Sequence, residues 1–115
     1  MAEDTIFGKI LRGELPSDEV YADDEFYAFR DINPGAPTHV LVIPRKPIAM
    51  VAHATEEDAS LLGRMLLVAN RIAEQEGLAE SGYRLVINNG AGAVQSVFHL
   101  HLHIIGGREL AWPPG

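Results

Sequence analysis

Residues 97 to 107 read VFHLHLHIIGG, and no other stretch constrains the fold as tightly. Side chains two apart in a strand share one face, about 6.6 to 7 Å from each other. Phe98, Leu100, Leu102 and Ile104 therefore share one face, and His99, His101 and His103 the other. The apolar face needs a cover, and residues 55 to 78, TEEDASLLGRMLLVANRIAEQEGL, are the element able to provide it. Leu61, Leu62, Met65, Leu66, Ala69, Ile72 and Ala73 recur at helical spacing and predict an apolar stripe. Thr55 with Asp58 reads as a capping box and Gly77 as a stop.

The remaining elements are shorter. DTIFGKILRGEL predicts an N-terminal helix capped by Asp4, with Ile6, Phe7, Ile10 and Leu11 on one side. DEVYAD and EFYAFRD predict two strands, the second with Phe26 facing opposite to Tyr27 and Phe29. INPGAPT is a turn. HVLVIP is apolar on both faces, as an interior strand would be, and Pro44 ends it. YRLVIN and VFHLHLHII are the last two strands. A short helix, strands, one long helix and more strands make an α+β chain with a mostly antiparallel sheet. At 115 residues, 1 to 115 reads as a single domain.

Composition narrows the function. The formal net charge is −7, with nine Lys plus Arg, which disfavours long nucleic acid because that partner needs a basic surface to release counterions. One small phosphorylated ligand, held by local groups, stays compatible with that field. With no cysteine there is neither a disulfide nor a thiolate metal site. MAEDTIFGK has no apolar core of a signal peptide, and no run approaches the roughly 18 apolar residues of a membrane span. A cytoplasmic protein with no membrane partner is expected.

Three imidazoles in register need three sets of partners if they are ordinary core. A solvated sheet face is the plain alternative, but polar strand positions usually carry Ser, Thr or Lys. Two chemistries suit the row. It can ligate zinc, or one imidazole can attack phosphorus while its neighbours donate hydrogen bonds and fix its tautomer. The triad alone leaves both open. NNGAGAVQS, residues 88 to 96, favours phosphate, because glycine-loop N–H groups form anion nests and Gln95 and Ser96 add donors that zinc does not need. It is not a P-loop, having neither the Gly-Lys-Ser/Thr ending nor a following helix. His39 heads the interior strand, and Asp31 can either cap its turn or accept two vicinal hydroxyls.

HLHLHII resembles the signature of the histidine triad (HIT) family of nucleotide hydrolases and transferases. DTIFGKI, AFRDINPGAPTHVLVIPRK, YRLVINNG, QSVFHLHLHIIGGR and WPPG extend the resemblance, in order, to its HINT branch and over nearly the whole chain. The resemblance implies a five-stranded antiparallel sheet with one long and one short helix, paired as a homodimer. It implies hydrolysis of purine nucleoside phosphoramidates, including aminoacyl or lysyl adducts of AMP, through a nucleotidyl-histidine intermediate and without a metal or cofactor. A purine mononucleotide such as AMP or GMP is the implied ligand. By that resemblance His101 is the nucleophile, His103 bonds the phosphate, and His99 with His39 forms the relay that tunes His101. Asn88, Gln95 and Ser96 fall at phosphate and leaving-group contacts, and Asp31 at the ribose hydroxyls. Ile6, Phe7, Ile10, Phe29 and Ile32 line the base pocket, and Trp112 lies on the tail that reaches the partner's site. The alternatives are a dinucleoside polyphosphate hydrolase and a nucleotide-binding regulatory protein.

One departure stands out. The HINT pattern has glycine before the Gln-Ser pair, where this chain has Val94; a positive φ there would strain a β-branched residue.

Overall fold

The computed structural model describes residues 2 to 115. Its short helix α1 spans Ile6–Leu11 and its long helix α2 spans Ala59–Gln75. The strands are β1 (Glu19–Ala22), β2 (Phe26–Arg30), β3 (Thr38–Pro44), β4 (Tyr83–Val86) and β5 (Leu102–Gly106). They form one antiparallel sheet in the order β1-β2-β3-β5-β4, so the predicted interior strand, β3, lies at its centre. The expected α+β fold with a five-stranded antiparallel sheet is the one observed.

Period two divides the sheet into two faces. Phe26, Ala28, Val40, Val42, Leu102 and Ile104 pack beneath Met65, Val68, Ala69, Ile72 and Ala73 of α2. Phe7 of α1 packs on the other face against Phe29, Leu41 and Ile43. The large core belongs to the long helix; the face that carries chemistry has only the short one.

Three local expectations need correction. Thr5, not Asp4, caps α1: its hydroxyl oxygen accepts from the Gly8 N–H at 3.2 Å, while Asp4 belongs to a preceding 3-10 turn. Leu66 is not in the buried stripe but is 47% exposed, and Val68 is buried instead. The core-facing row 65, 68, 69, 72, 73 keeps the helical spacing, and Leu66 lies about 100° round from Met65.

The third correction concerns the histidine strand, which joins the sheet only at Leu102. Val42 opposes Leu102, and the same register would set Leu100 against Pro44. Proline has no N–H to give, so the ladder stops. The Leu100 N–H donates to the Ile48 carbonyl at 2.7 Å instead. Phe98, released from the apolar face, is 40% exposed. At the other end of β5, Gly107 has φ +91°, and a Cβ there would stand 2.9 Å from Pro37. Glycine thus lets the chain turn away close against the loop before His39. No helix among the described residues is long and apolar enough to cross a membrane.

Candidate active site

The sheet face opposite α2 brings His39 and His103 together. They are not cross-strand partners: His39 opposes Ile105 and His103 opposes Leu41. A diagonal of this kind separates Cα atoms by about 7 to 8 Å, within reach of two imidazoles. His39 Nε2 lies 2.8 Å from His103 Nδ1. His101 stands beside them, its ring centroid 5.0 Å from that of His103 and 5.0 Å from Phe7, which it meets edge-on.

The hydrogen bonds determine where the protons sit. The Gly35 N–H donates to His39 Nδ1 at 2.9 Å, so in the neutral ring His39 carries its proton on Nε2 and donates it to His103 Nδ1. His103 then carries its own proton on Nε2, a buried atom with no hydrogen-bond partner. His101 runs the other way. Its Nδ1–H donates to the backbone carbonyl of His99 at 2.8 Å, leaving a lone pair on Nε2. Two neighbouring neutral imidazoles therefore present opposite functions, a lone pair on one and an N–H on the other.

Burial keeps both rings neutral. Desolvation lowers the His101 pKa from its ordinary 6.5, with the bond to the His99 carbonyl opposing. Desolvation, joined by the neighbouring His101 and His39, pushes His103 down to about 4.

The relay differs from the expected one. The His99 side chain hydrogen-bonds neither His39 nor His101; its Nε2–H donates to the Pro44 carbonyl at 2.8 Å, and its Nδ1 is buried without a partner. The backbone of His99, not its imidazole, holds His101. His39 acts on His103. The reason lies in the chain path before Leu102, outside the ladder, where strict alternation no longer places side chains.

His101 and His103 open onto a cleft of about 390 Å³. Ile6, Phe7, Ile10, Phe29, Asp31, Ile32 and Ser96 line it, with Ile32 a rim residue at 91% exposure. Asp31 serves two neighbours: Oδ1 accepts from the Asn33 N–H at 2.8 Å, and Oδ2 lies 3.5 Å from His39 Nε2. Gln95 does not offer a free donor. It is buried, with Oε1 accepting from the Gly90 N–H and Nε2 donating to the Ala49 and Val97 carbonyls. It ties the loop together. Asn88 is half-buried and not among the residues lining the cleft. Trp112 is 81% exposed and away from it, its ring 6.0 Å from the guanidinium of Arg84, which donates to the Ala111 carbonyl.

Leu15, Pro16, Ser17, Leu41 and Val97 also line the cleft. Leu41 was recoverable from its alternation with His39. The loop 15 to 17 carries no such signal, because its return over β2 is a long-range contact.

Asp31, His39 and His103 place one potential ligand atom each within 4.8 Å of one another. The two nitrogens, however, stand at the 2.8 Å of a hydrogen bond, whereas two imidazoles on tetrahedral zinc would stand about 3.4 Å apart. The residues would have to part to admit a metal.

The family model described as HIT domain matches residues 12–110. A HIT-like protein of Synechococcus elongatus is 60% identical over the full length of both chains. The purine nucleoside phosphoramidase of Escherichia coli is 56% identical over 110 residues, covering 96% of this chain and 92% of the relative. The crystal structure of a HIT family hydrolase from Legionella pneumophila superposes with a TM-score of 0.95 at 48% identity, covering 97% of this chain and all of the other. A sheet backed by one long helix, with histidines opening to a cleft on its other face, is the architecture of a HIT domain, and the chain belongs to the HIT family. Within that family it is an enzyme, a HIT hydrolase.

Proposed function

We propose that this hydrolase cleaves purine nucleoside phosphoramidates through a covalent intermediate on His101. The observation that carries this reading is the pair of opposite tautomers: His101 offers a lone pair on Nε2, and His103 holds a buried N–H that lacks an acceptor. A buried donor without a partner costs about 1 to 3 kcal/mol. A phosphate oxygen seated in the cleft relieves that cost.

In the first step His101 Nε2 forms a bond to the α-phosphorus and the P–N bond to the leaving amine breaks. The amine takes up a proton from solvent by way of the Ser96 hydroxyl. Water then attacks the same phosphorus and gives up a proton to solvent, the His101–phosphorus bond breaks with its electron pair returning to Nε2, and a nucleoside 5′-monophosphate leaves. His39 keeps the His103 proton on Nε2, Asp31 accepts from the ribose hydroxyls, and Ile6, Phe7, Ile10 and Phe29 hold the base. The name of the Escherichia coli relative supports this substrate class. No cofactor enters the scheme, and the enzyme works as a homodimer on a mononucleotide.

The test is His101→Ala. Turnover of adenosine 5′-phosphoramidate should vanish while AMP still binds, and quenched wild-type enzyme should yield a nucleotide-sized adduct on the peptide containing His101. Turnover by the variant at the wild-type rate would overturn the mechanism. Faster wild-type cleavage of a diadenosine polyphosphate than of the phosphoramidate would move the assignment to the other substrate class.

A further inference from the structure

We propose that Arg108, an exposed residue just past β5, is a positioning residue that fixes the His103 proton on Nε2 by way of the turn before His39. Its catalytic consequence rests on the reading above; the positioning itself does not. Arg108 makes two hydrogen bonds, both to backbone carbonyls: Nη1–H donates to Glu109 and Nη2–H to Gly35, each at 3.0 Å. Gly35 is 73 residues away in the chain. It is also the residue whose N–H donates to His39 Nδ1 at 2.9 Å. One glycine thus accepts a charged donor on its carbonyl and gives its N–H to the ring that governs His103.

The turn needs such a hold. Pro34 and Pro37 have no N–H to give, and among the described residues no backbone group of residues 32 to 37 pairs with another backbone group. Side chains do the holding. Asp31 accepts from the Asn33 N–H at one end of the turn, and Arg108 grips its middle. A guanidinium on a carbonyl makes a charge-assisted bond, roughly twice as strong as a neutral one. Gly107 brings Arg108 within reach: its φ is +91°, and a Cβ there would stand 2.9 Å from Pro37. The chain can lie against the turn only because that position is glycine.

Release of Gly35 would change the chemistry two rings away. With its Nδ1 lone pair unoccupied, His39 can carry its proton there instead. His39 Nε2 then becomes an acceptor, His103 donates from Nδ1, and His103 Nε2 turns from an N–H into a lone pair. No proton is gained or lost, yet a phosphate would meet two lone pairs in place of one lone pair and one donor. Asp31 favours the same tautomer as the clamp, since its Oδ2 lies 3.5 Å from His39 Nε2. Its own place is independent of Arg108, because the Asp31 N–H bonds the His39 carbonyl at 3.0 Å.

The experiment takes the wild type, Arg108→Ala, Arg108→Lys, His39→Ala and the Arg108→Ala/His39→Ala double variant through two measurements. One is steady-state kinetics on adenosine 5′-phosphoramidate; the other is nitrogen NMR of histidine-labelled protein, which reports the tautomer of each ring. Arg108 is exposed, so its loss leaves the fold intact. Arg108→Ala should lower kcat about five- to tenfold, the worth of one hydrogen bond, and leave KM within about twofold because Asp31 keeps its place. Lysine can set one N–H on the Gly35 carbonyl and should restore most of the rate. In the His39→Ala background the loss of Arg108 should cost nothing further, since no ring is left for it to position. The ring nitrogens should show His39 and His103 protonated on Nε2 in the wild type and mixed tautomers in Arg108→Ala. An Arg108→Ala protein with wild-type tautomers overturns the inference, whatever its Tm. So does an equal loss of kcat with and without His39. Wild-type enzyme inert on the phosphoramidate would bring down the functional reading alone, because the ring nitrogens test the clamp without turnover.

Discussion

His103 gives acid a specific point of attack. Its folded pKa, about 4, lies below the ordinary 6.5, so the unfolded chain takes the proton more readily than the folded one. The associated stability is complete above about pH 6.5 and is lost as pH falls toward 4. His101 is depressed in the same direction and adds to the slope. The urea midpoint should therefore hold steady above pH 7 and decline between 6.5 and 4. His103→Asn, which cannot titrate, should flatten part of that decline; an unchanged slope would refute the assignment. Activity has the same sign. In the proposed mechanism His101 must be neutral to attack, so kcat/KM should be level at pH 7 and fall on the acid side with an apparent pKa below 6.5. An acid limb centred above 6.5 would mean that the nucleophile is not desolvated as described.

The loop ahead of the triad shows how an element can be held in a conformation its residues disfavour. Val94 has φ 65° and ψ 33°, the one non-glycine positive φ among the described residues. The surroundings enforce it: the Val94 N–H bonds the Ala91 carbonyl, the Gln95 N–H bonds the Gly90 carbonyl, and the Gln95 side chain bonds both limbs of the loop. A non-glycine residue in this region costs about 1 to 3 kcal/mol, and glycine returns up to about 1 kcal/mol of that through greater freedom in the unfolded chain. Val94→Gly should raise Tm by a few degrees. Since His101 is held by the His99 carbonyl and not by the loop, kcat/KM should change less than about threefold. A lower Tm in calorimetry would show that the valine is unstrained. This position was legible in advance, because a glycine site filled by valine is a local conflict. The strands and the long helix were legible too, since period is a local property, while the gathering of His101, His103, Asp31 and the apolar pocket residues was expected only through the family resemblance. The His39–His103 bond was not legible. It depends on the register between β3 and β5, set by how two distant segments pack. Nor could alternation alone say that the strand would begin at Leu102, because the obstacle is Pro44 on a neighbouring strand.

At the scale of the molecule, the two edges of the sheet are unlike. β1 carries an irregularity between Glu19 and Tyr21 and two acidic residues just beyond its end, Asp23 and Asp24, the kind of edge that resists further pairing. β4 is an open edge with no such device in its ladder. Tyr83 of β4 hydrogen-bonds Asn70 of α2, and one helical turn earlier Leu66 and Leu67 are 47% and 65% exposed. An open strand next to exposed leucines suits an isologous contact, in which the same surface serves both copies. Arg84, on the same strand, holds the tail at Ala111 and lies near the Trp112 ring, so pairing through β4 would carry the exposed indole toward the second copy. The homodimer proposed above would then pair through β4 and α2. The native mass should be twice the 12.5 kDa of one chain. Leu67→Glu places two carboxylates close together across the two-fold axis and should shift sedimentation to the single-chain value. Circular dichroism should stay unchanged, because Leu67 is outside the core beneath α2. A wild-type protein that sediments as one chain, or a Leu67→Glu protein that keeps the doubled mass, would place the interface elsewhere.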